Sequence, residues 1–312
     1  MATEPSRQAW DRHYESWRQY LARVTGAVES GKSVPLGPSA EPLTPPRSLA
    51  EATAQAKVII CAPHPDDEAL SGALALRLRL DSGAAVTSVA VTLGRDQGQR
   101  PRRLRELERA CQALGFKLVV PRHPHGLDEV TEYGRRTKPD EWREKVNLLR
   151  EIFDREMPEV VLAPHAQDFN TAHVGTHLLV LEALGEHLNR RDVLLVETEF
   201  WHQMERPNLM LGLTPEFVAA QLVGIAEHGD EMRRNPYHLL HPCRLMDNVR
   251  RGSEVVGGQG AVARKFTFAE IYNVRLMRAR EQFVAPERGC IIDPETPLSV
   301  AGLKSQLGFG PG

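Results

Sequence analysis

Cysteine is scarce and scattered in this 312-residue chain. Cys61, Cys111, Cys243 and Cys290 make no CxxC pair, so neither spacing nor number suggests a disulfide framework. Cys61 sits inside an apolar run and reads as core filling. No apolar run approaches the roughly 20 residues of a membrane span. The opening "MATEPSRQAWDRHYESW" lacks the basic-then-apolar layout of a secretion signal, which makes a cytoplasmic protein the expectation. Charge of one sign is also missing. A net charge of −2 gives no support to nucleic acid or an anionic membrane as the main partner. No G-x-G-x-x-G turn follows the first predicted strand. The chain is acidic where a pyrophosphate would sit, which argues against a dinucleotide-binding module.

What is present is the composition of a globular protein, 41% apolar, long enough for one large α/β domain. Trp10, Tyr14, Trp17, Leu21 and Val24 recur at helical spacing and predict an amphipathic helix over residues 5–30. Its expected role is to pack on the body as a core-covering arm, or on a second subunit of a homo-oligomer. The proline-rich "SVPLGPSAEPLTPPR" then reads as a connector. From Lys57 onward, strand and helix patterns alternate. "VIICA", "AVTSVAVTLG", "KLVV", "EVVLAPH" and "DVLLVETEF" read as strands. The helices between them begin at Glu68, Arg100, Pro139 and Thr171, and Gly115 closes the second. This predicts a Rossmann-like, doubly wound, mostly parallel sheet with helices on both faces and strand order 3-2-1-4-5. Past Phe200 one more helix is expected over "TPEFVAAQLVGIAEHGDEMRR", then a mixed α+β elaboration that walls the site, and a frayed tail "GFGPG". The domain reading is an arm and connector over 1–50 and a single domain over 51–312, with core 57–200 and elaboration 201–312.

The chemistry gathers at two strand ends. "VIICAPHPDDE" crowds His64, Asp66, Asp67 and Glu68 directly after the first strand. "PHAQDFNTAHVGTH" follows the fourth and carries His165, Asn170, His173 and His177. Helix capping alone would account for the acids, at roughly 0.3–1 kcal/mol each. Asn170 alone reads as an N-cap, and His173 and His177 at i and i+4 are a weak metal signal by themselves. The joint placement distinguishes them. In the predicted order the first and fourth strands are neighbours, and ligands of open α/β sheets bind beyond such carboxyl ends. Two imidazoles and one carboxylate suit Zn²⁺ with a position left open, and also accept Fe²⁺ or Ni²⁺. A cation makes adjacent ionised acids tolerable, and a leftover carboxylate can take a proton from bound water.

"APHPDDE" at 62–68 resembles the signature of the PIG-L/LmbE-like family of zinc-dependent N-acetyl deacetylases, which act on N-acetylglucosamine-type groups with a Rossmann-like fold. "VTLGRDQGQ", "RRLRELERACQALG" and "PHGLDE" resemble further family segments, so the likeness runs from about Lys57 to Phe200. It implies His64, Asp67 and His173 as ligands of one zinc ion and Asp66 as general base. The family's second motif commonly reads H-x-D-H, and here the matching stretch is "NTAH", so Asn170 and Ala172 depart from it. An amide can donate a hydrogen bond to an oxyanion but carries no proton at neutral pH. His177, His238, His241 or a protonated Asp66 remain candidates for the acid.

The resulting expectation is a hydrolase of linear amide C–N bonds. Zinc-activated water would remove an acetyl or other acyl group from an N-acylated amino sugar or glycoconjugate, with Asp66 as base and Asn170 at the oxyanion. Arg95, Asp96, Gln97 and His177 are the candidate substrate contacts. The alternatives are a zinc-binding homologue without catalysis and an amidase acting on a non-sugar substrate.

Overall fold

The computed structural model describes residues 4–43, 56–187, 192–278 and 283–310. The chain order is α1 (Glu4–Gly31), β1 (Lys57–Ala62), α2 (Asp67–Leu70), α3 (Ala73–Ser82), β2 (Ala85–Ala90), α4 (Arg100–Leu114), β3 (Lys117–Val119), α5 (Glu132–Thr137), α6 (Pro139–Glu156), β4 (Val160–Pro164), α7 (Thr171–His187) and β5 (Val193–Thr198). It continues with β6 (Leu209–Leu213), α8 (Pro215–Glu227), α9 (Gly229–Arg234), α10 (Tyr237–Val255), β7 (Phe268–Met277), β8 (Cys290–Ile292) and α11 (Val300–Gln306).

Among the described residues eight strands share one sheet in the order β3-β2-β1-β4-β5-β7-β6-β8. The first five are parallel and follow the 3-2-1-4-5 order expected of the doubly wound fold. β7 then pairs antiparallel with both β5 and β6, and β8 closes the far edge parallel to β6. The sheet is thus mixed and mostly parallel. The C-terminal third extends it rather than merely decorating it. Strands β6 to β8 escaped the sequence reading because β6, "LMLGL", and β7 show no clear alternation between turn signals.

β1 shows why its run of apolar residues is continuous. Val58 and Ile60 belong to one core, with Leu74, Leu78, Leu107 and Leu211, while Ile59 and Cys61 belong to the opposite core, with Trp142, Phe153 and Leu179. A central parallel strand is buried on both faces, so every position must be apolar. Each such side chain contributes about 1.5–3 kcal/mol by leaving water.

Two single helices of the sequence reading are broken. The stretch from Glu68 divides at Ser71 and Gly72, where a Cβ on Gly72 would collide with the carbonyl oxygen of Glu68. The stretch from Pro215 divides at His228, whose ring turns inward. The tail is also not frayed as far as it is described, because Phe309 is buried against the main core.

α1 forms as expected, but it does not cover the core. Trp10, Tyr14, Trp17, Leu21 and Val24 are all exposed. The chain after it is pinned to the body, with Gly37 N–H donating to Ala226 O at 2.8 Å and Ser39 N–H to Glu227 at 2.8 Å. The connector reading extends past Leu43 onto residues that lie outside those described.

Candidate metal centre

The pairing of β1 with β4, Val58 opposite Val160 and Ile60 opposite Leu162, sets the loops after Ala62 and Pro164 side by side. His64 and Asp67 leave the first loop, and His173 stands in the first turn of α7 after the second. Asp67 Oδ2 lies 3.3 Å from His64 Nδ1 and 3.2 Å from His173 Nε2. The three donor atoms fall within 4.8 Å of one another. Asp67 also accepts the His64 backbone N–H at 2.9 Å, which fixes the turn between them.

These residues fit a divalent cation. His173 Nε2 is buried and has no hydrogen-bond partner, although it points at the donor cluster. Its other nitrogen, Nδ1, lies 3.4 Å from the carboxylate of the buried Asp168. An imidazole oriented by a carboxylate behind it is the usual build of a metal-binding histidine. Burial opposes charge on Asp67, but the two flanking imidazoles hold its carboxyl well below the ordinary range. Burial also opposes charge on His173, but the Asp67 and Asp168 carboxylates raise it to about 10.

Asp66 is a separate case. It is buried, and its φ of +120° is a strained value for a residue with a side chain. The strain is held in place. Asp66 N–H donates to Glu68 Oε2 at 2.9 Å, and Glu68 Oε1 lies 2.7 Å from Nε2 of the fully buried His228. Burial, then the Asp67 charge, push the Asp66 carboxyl well above its usual value, with Arg103 working against the shift.

The cluster opens into a cleft of about 270 Å³. His64, Asp66, Asp67, Asn170 and Arg95 line it, while His173 and Asp168 line a small cavity behind it. Asn170 Oδ1 accepts from Ala172 N–H at 2.9 Å as a cap of α7, so the amide nitrogen is the end left for a ligand. Asp96, Gln97 and His177 do not line this cleft. Asp96 accepts from Gly98 N–H at 2.9 Å, and Gln97 faces a neighbouring groove with Arg100 and His125. His177 is buried, with Nδ1 2.9 Å from Pro164 O and 3.5 Å from Glu197. His241 is buried with neither nitrogen partnered, and burial lowers it to about 3; neither it nor His238 lines the cleft.

Several cleft residues escaped the sequence reading. Phe200, Trp201 and Tyr237 form one wall in edge-to-face contact, with centroids 5.2–5.8 Å apart. Arg103, Glu231 and Arg234 complete it from α4 and α9. No local pattern marks these positions, because they arrive from distant parts of the chain. Asp168 did carry a signal: it lies in the same polar loop as His173, five residues ahead of it.

Fold and site together define a Rossmann-like α/β protein with a metal-suited cleft at the carboxyl ends of its central strands. The family comparison is specific. Residues 59–184 match the model of the PIG-L family, described as GlcNAc-PI de-N-acetylase. No curated protein matches the chain in sequence.

Solved structures of similar fold include the conserved protein TT1542 from Thermus thermophilus, at 16% identity and TM-score 0.53, over 70% of this chain and 94% of that one. The zinc-inhibited form of teicoplanin deacetylase Orf2 aligns at 15% identity and TM-score 0.52, over 72% of this chain and 100% of that one. GalB, the 4-carboxy-2-hydroxymuconate hydratase from Pseudomonas putida KT2440, aligns at 18% identity and TM-score 0.51, over 73% and 99%. At these identities the likeness establishes the fold. Among the described residues no helix is long and apolar enough to cross a membrane.

Proposed function

We propose that this chain is a metal-dependent hydrolase that removes an acetyl group from an N-acetylated amino sugar or its conjugate. The observation that carries the reading is the meeting of His64, Asp67 and His173 around one point, with the protonatable Asp66 beside them and an open cleft in front. The match to a de-N-acetylase family over residues 59–184 supports the same reaction class.

His64, Asp67 and His173 would hold a divalent cation, which would supply Lewis acidity there and make water easier to deprotonate. Asp66 takes that proton on its carboxyl oxygen, and its raised affinity for protons suits it to hand the proton on to the departing amine. Asn170 directs its amide N–H to the oxygen that gains charge. The Trp201 and Tyr237 rings offer faces for a sugar, and Arg95 and Arg103 offer donors for its hydroxyls. A protonated Asp66 thus fills the place of the family's missing histidine, since His177, His238 and His241 lie off the cleft lining.

Zinc is the first candidate for the cation by donor type, with Fe²⁺ and Ni²⁺ close behind. One deacetylase of this fold was solved in a zinc-inhibited form, which makes metal identity worth testing directly. The fold also serves a hydratase, so fold alone does not select amide hydrolysis. Acetate release from a panel of N-acetylated amino sugars, with each metal added back after chelation, tests the proposal. Release that needs metal and disappears in Asp66→Asn is the expected result. No acetate from any member with any metal, while the protein still binds metal, would count against it.

A further inference from the structure

The helix α1 presents a surface that the other described residues leave uncovered. It is 28 residues long, about 42 Å at 1.5 Å per residue. Its principal contact with the body is with α10, where Gly31 packs on Leu239. Beyond that end it carries Trp10, Tyr14, Trp17, Leu21 and Val24 in the open, with Trp10 at 62% and Trp17 at 65% exposure. The ring of Trp10 stacks on Tyr14, and that of Trp17 meets Tyr20 edge-on, both on the same helix. A helix of this kind draws its stability in water mainly from packing its apolar face.

The spacing identifies what covers it. The five residues fall at intervals of 4, 3, 4 and 3, the repeat of a coiled-coil seam rather than of a helix lying on a sheet. Val28 continues the seam. Their uncovered surface is on the order of 600 Å² per chain, given that an aromatic side chain offers about 150–250 Å². Two copies would bury about 1,200 Å², the low end of a specific interface. The charge of the helix favours a protein partner over a lipid surface: its four arginines are balanced by four acids.

We propose that α1 pairs with α1 of a second copy of this chain as a two-stranded antiparallel coiled coil. In the antiparallel register Tyr14 meets Trp17 of the second copy and Trp10 meets Leu21. Flanking that seam, Asp11 stands opposite Arg18 twice, once on each side of the twofold axis. A parallel pair would set His13 beside Arg18 and forgo both ion pairs. In the single chain Arg18 is engaged by Glu15 at 2.7 and 2.8 Å, an exposed pair that competes weakly. The antiparallel arrangement sends the two bodies off opposite ends of the pair.

Sedimentation equilibrium of the full chain at about 1–100 µM tests this. A dimer is expected, and Trp10→Glu with Trp17→Glu should weaken it about 100-fold or more. That variant should keep the thermal transition of the body and its basal hydrolysis. Asp11→Arg should weaken association, and adding Arg18→Asp should restore it. A monomer throughout that range, or a dimer that survives both Trp substitutions, overturns the proposal. Failure of the charge exchange to restore pairing overturns the antiparallel register. Flotation of wild type, but not the Trp variant, with phosphatidylcholine–phosphatidylglycerol vesicles, in place of self-association, would assign the stripe to a lipid surface instead.

Discussion

Asp66 and Asp67 are adjacent acids with opposite fates. Two imidazoles hold the Asp67 carboxyl well below the ordinary range, while burial and that neighbouring charge push Asp66 well above it. Asp66→Asn keeps the donor trio and removes the titrating group, so turnover should fall about 10²–10⁴-fold with metal content unchanged. Metal analysis beside acetate release checks this, and a variant that loses its metal would void the assignment of Asp66 as proton carrier. Asp168→Asn should weaken metal affinity about 10–100-fold by releasing the His173 ring. Competition with a chelator of known affinity measures it, and an unchanged affinity would sink the orienting role.

A third residue-scale prediction concerns protons. In the metal-free chain His173 is raised to about 10, so at neutral pH it carries a proton that it lacks in the unfolded chain. Its contribution to stability is therefore complete below about pH 6.5 and lost as pH rises toward 10. A metal takes the neutral ring, so metal uptake near pH 7.5 should expel a proton. Binding enthalpies that do not vary with the ionisation enthalpy of the buffer would contradict this.

At the scale of elements, the notable feature is where helices stop. Ser71 and Gly72 end the short α2, so that α2 tips Asp67 and Glu68 inward while α3 turns away to cover the sheet. The apolar residues of "EALSGALALRLRLDSG" run on across that break, so their pattern does not reveal it. Only the close approach of Gly72 to Glu68 O marks it. Gly115 is the opposite case: it closes α4 at φ +69°, and glycine after a periodic run was a readable stop. Gly115→Ala should cost about 1 kcal/mol or more, since a Cβ there is strained and also meets the Arg79 guanidinium. Denaturant unfolding measures the loss, and an unchanged midpoint would show that the turn is not under strain.

Across the whole molecule, Arg77 ties the early helices to the late chain. It is fully buried on α3, donates to Gly212 O at 2.7 Å and Asp293 O at 3.0 Å, and reaches Thr296 O and Asp81 as well. Arg77→Met would strand those carbonyls and leave Asp81 with the Leu298 N–H but no cation. A loss of roughly 3 kcal/mol is expected from denaturant midpoints, by analogy with removing one partner of a buried ionic network. A loss below about 1 kcal/mol would mean that water replaces the guanidinium.

The sequence by itself determined the five parallel strands, their order and the two polar loops, because each rests on local patterns. Continuous apolar runs specify strands buried on both faces, and short crossovers specify their neighbours. It also placed His64, the acids at 66 and 67, and His173 in the segments that follow two neighbouring strands, while the family resemblance singled out Asp67. The tertiary structure alone decided the rest. Trp201, Glu231 and Tyr237 join the cleft through contacts that span the chain, and β7 and β6 enlarge the sheet through antiparallel pairing that no local periodicity encodes. It also decided that the α1 stripe faces outward, because an apolar face read from spacing says that something must cover it and leaves open what does.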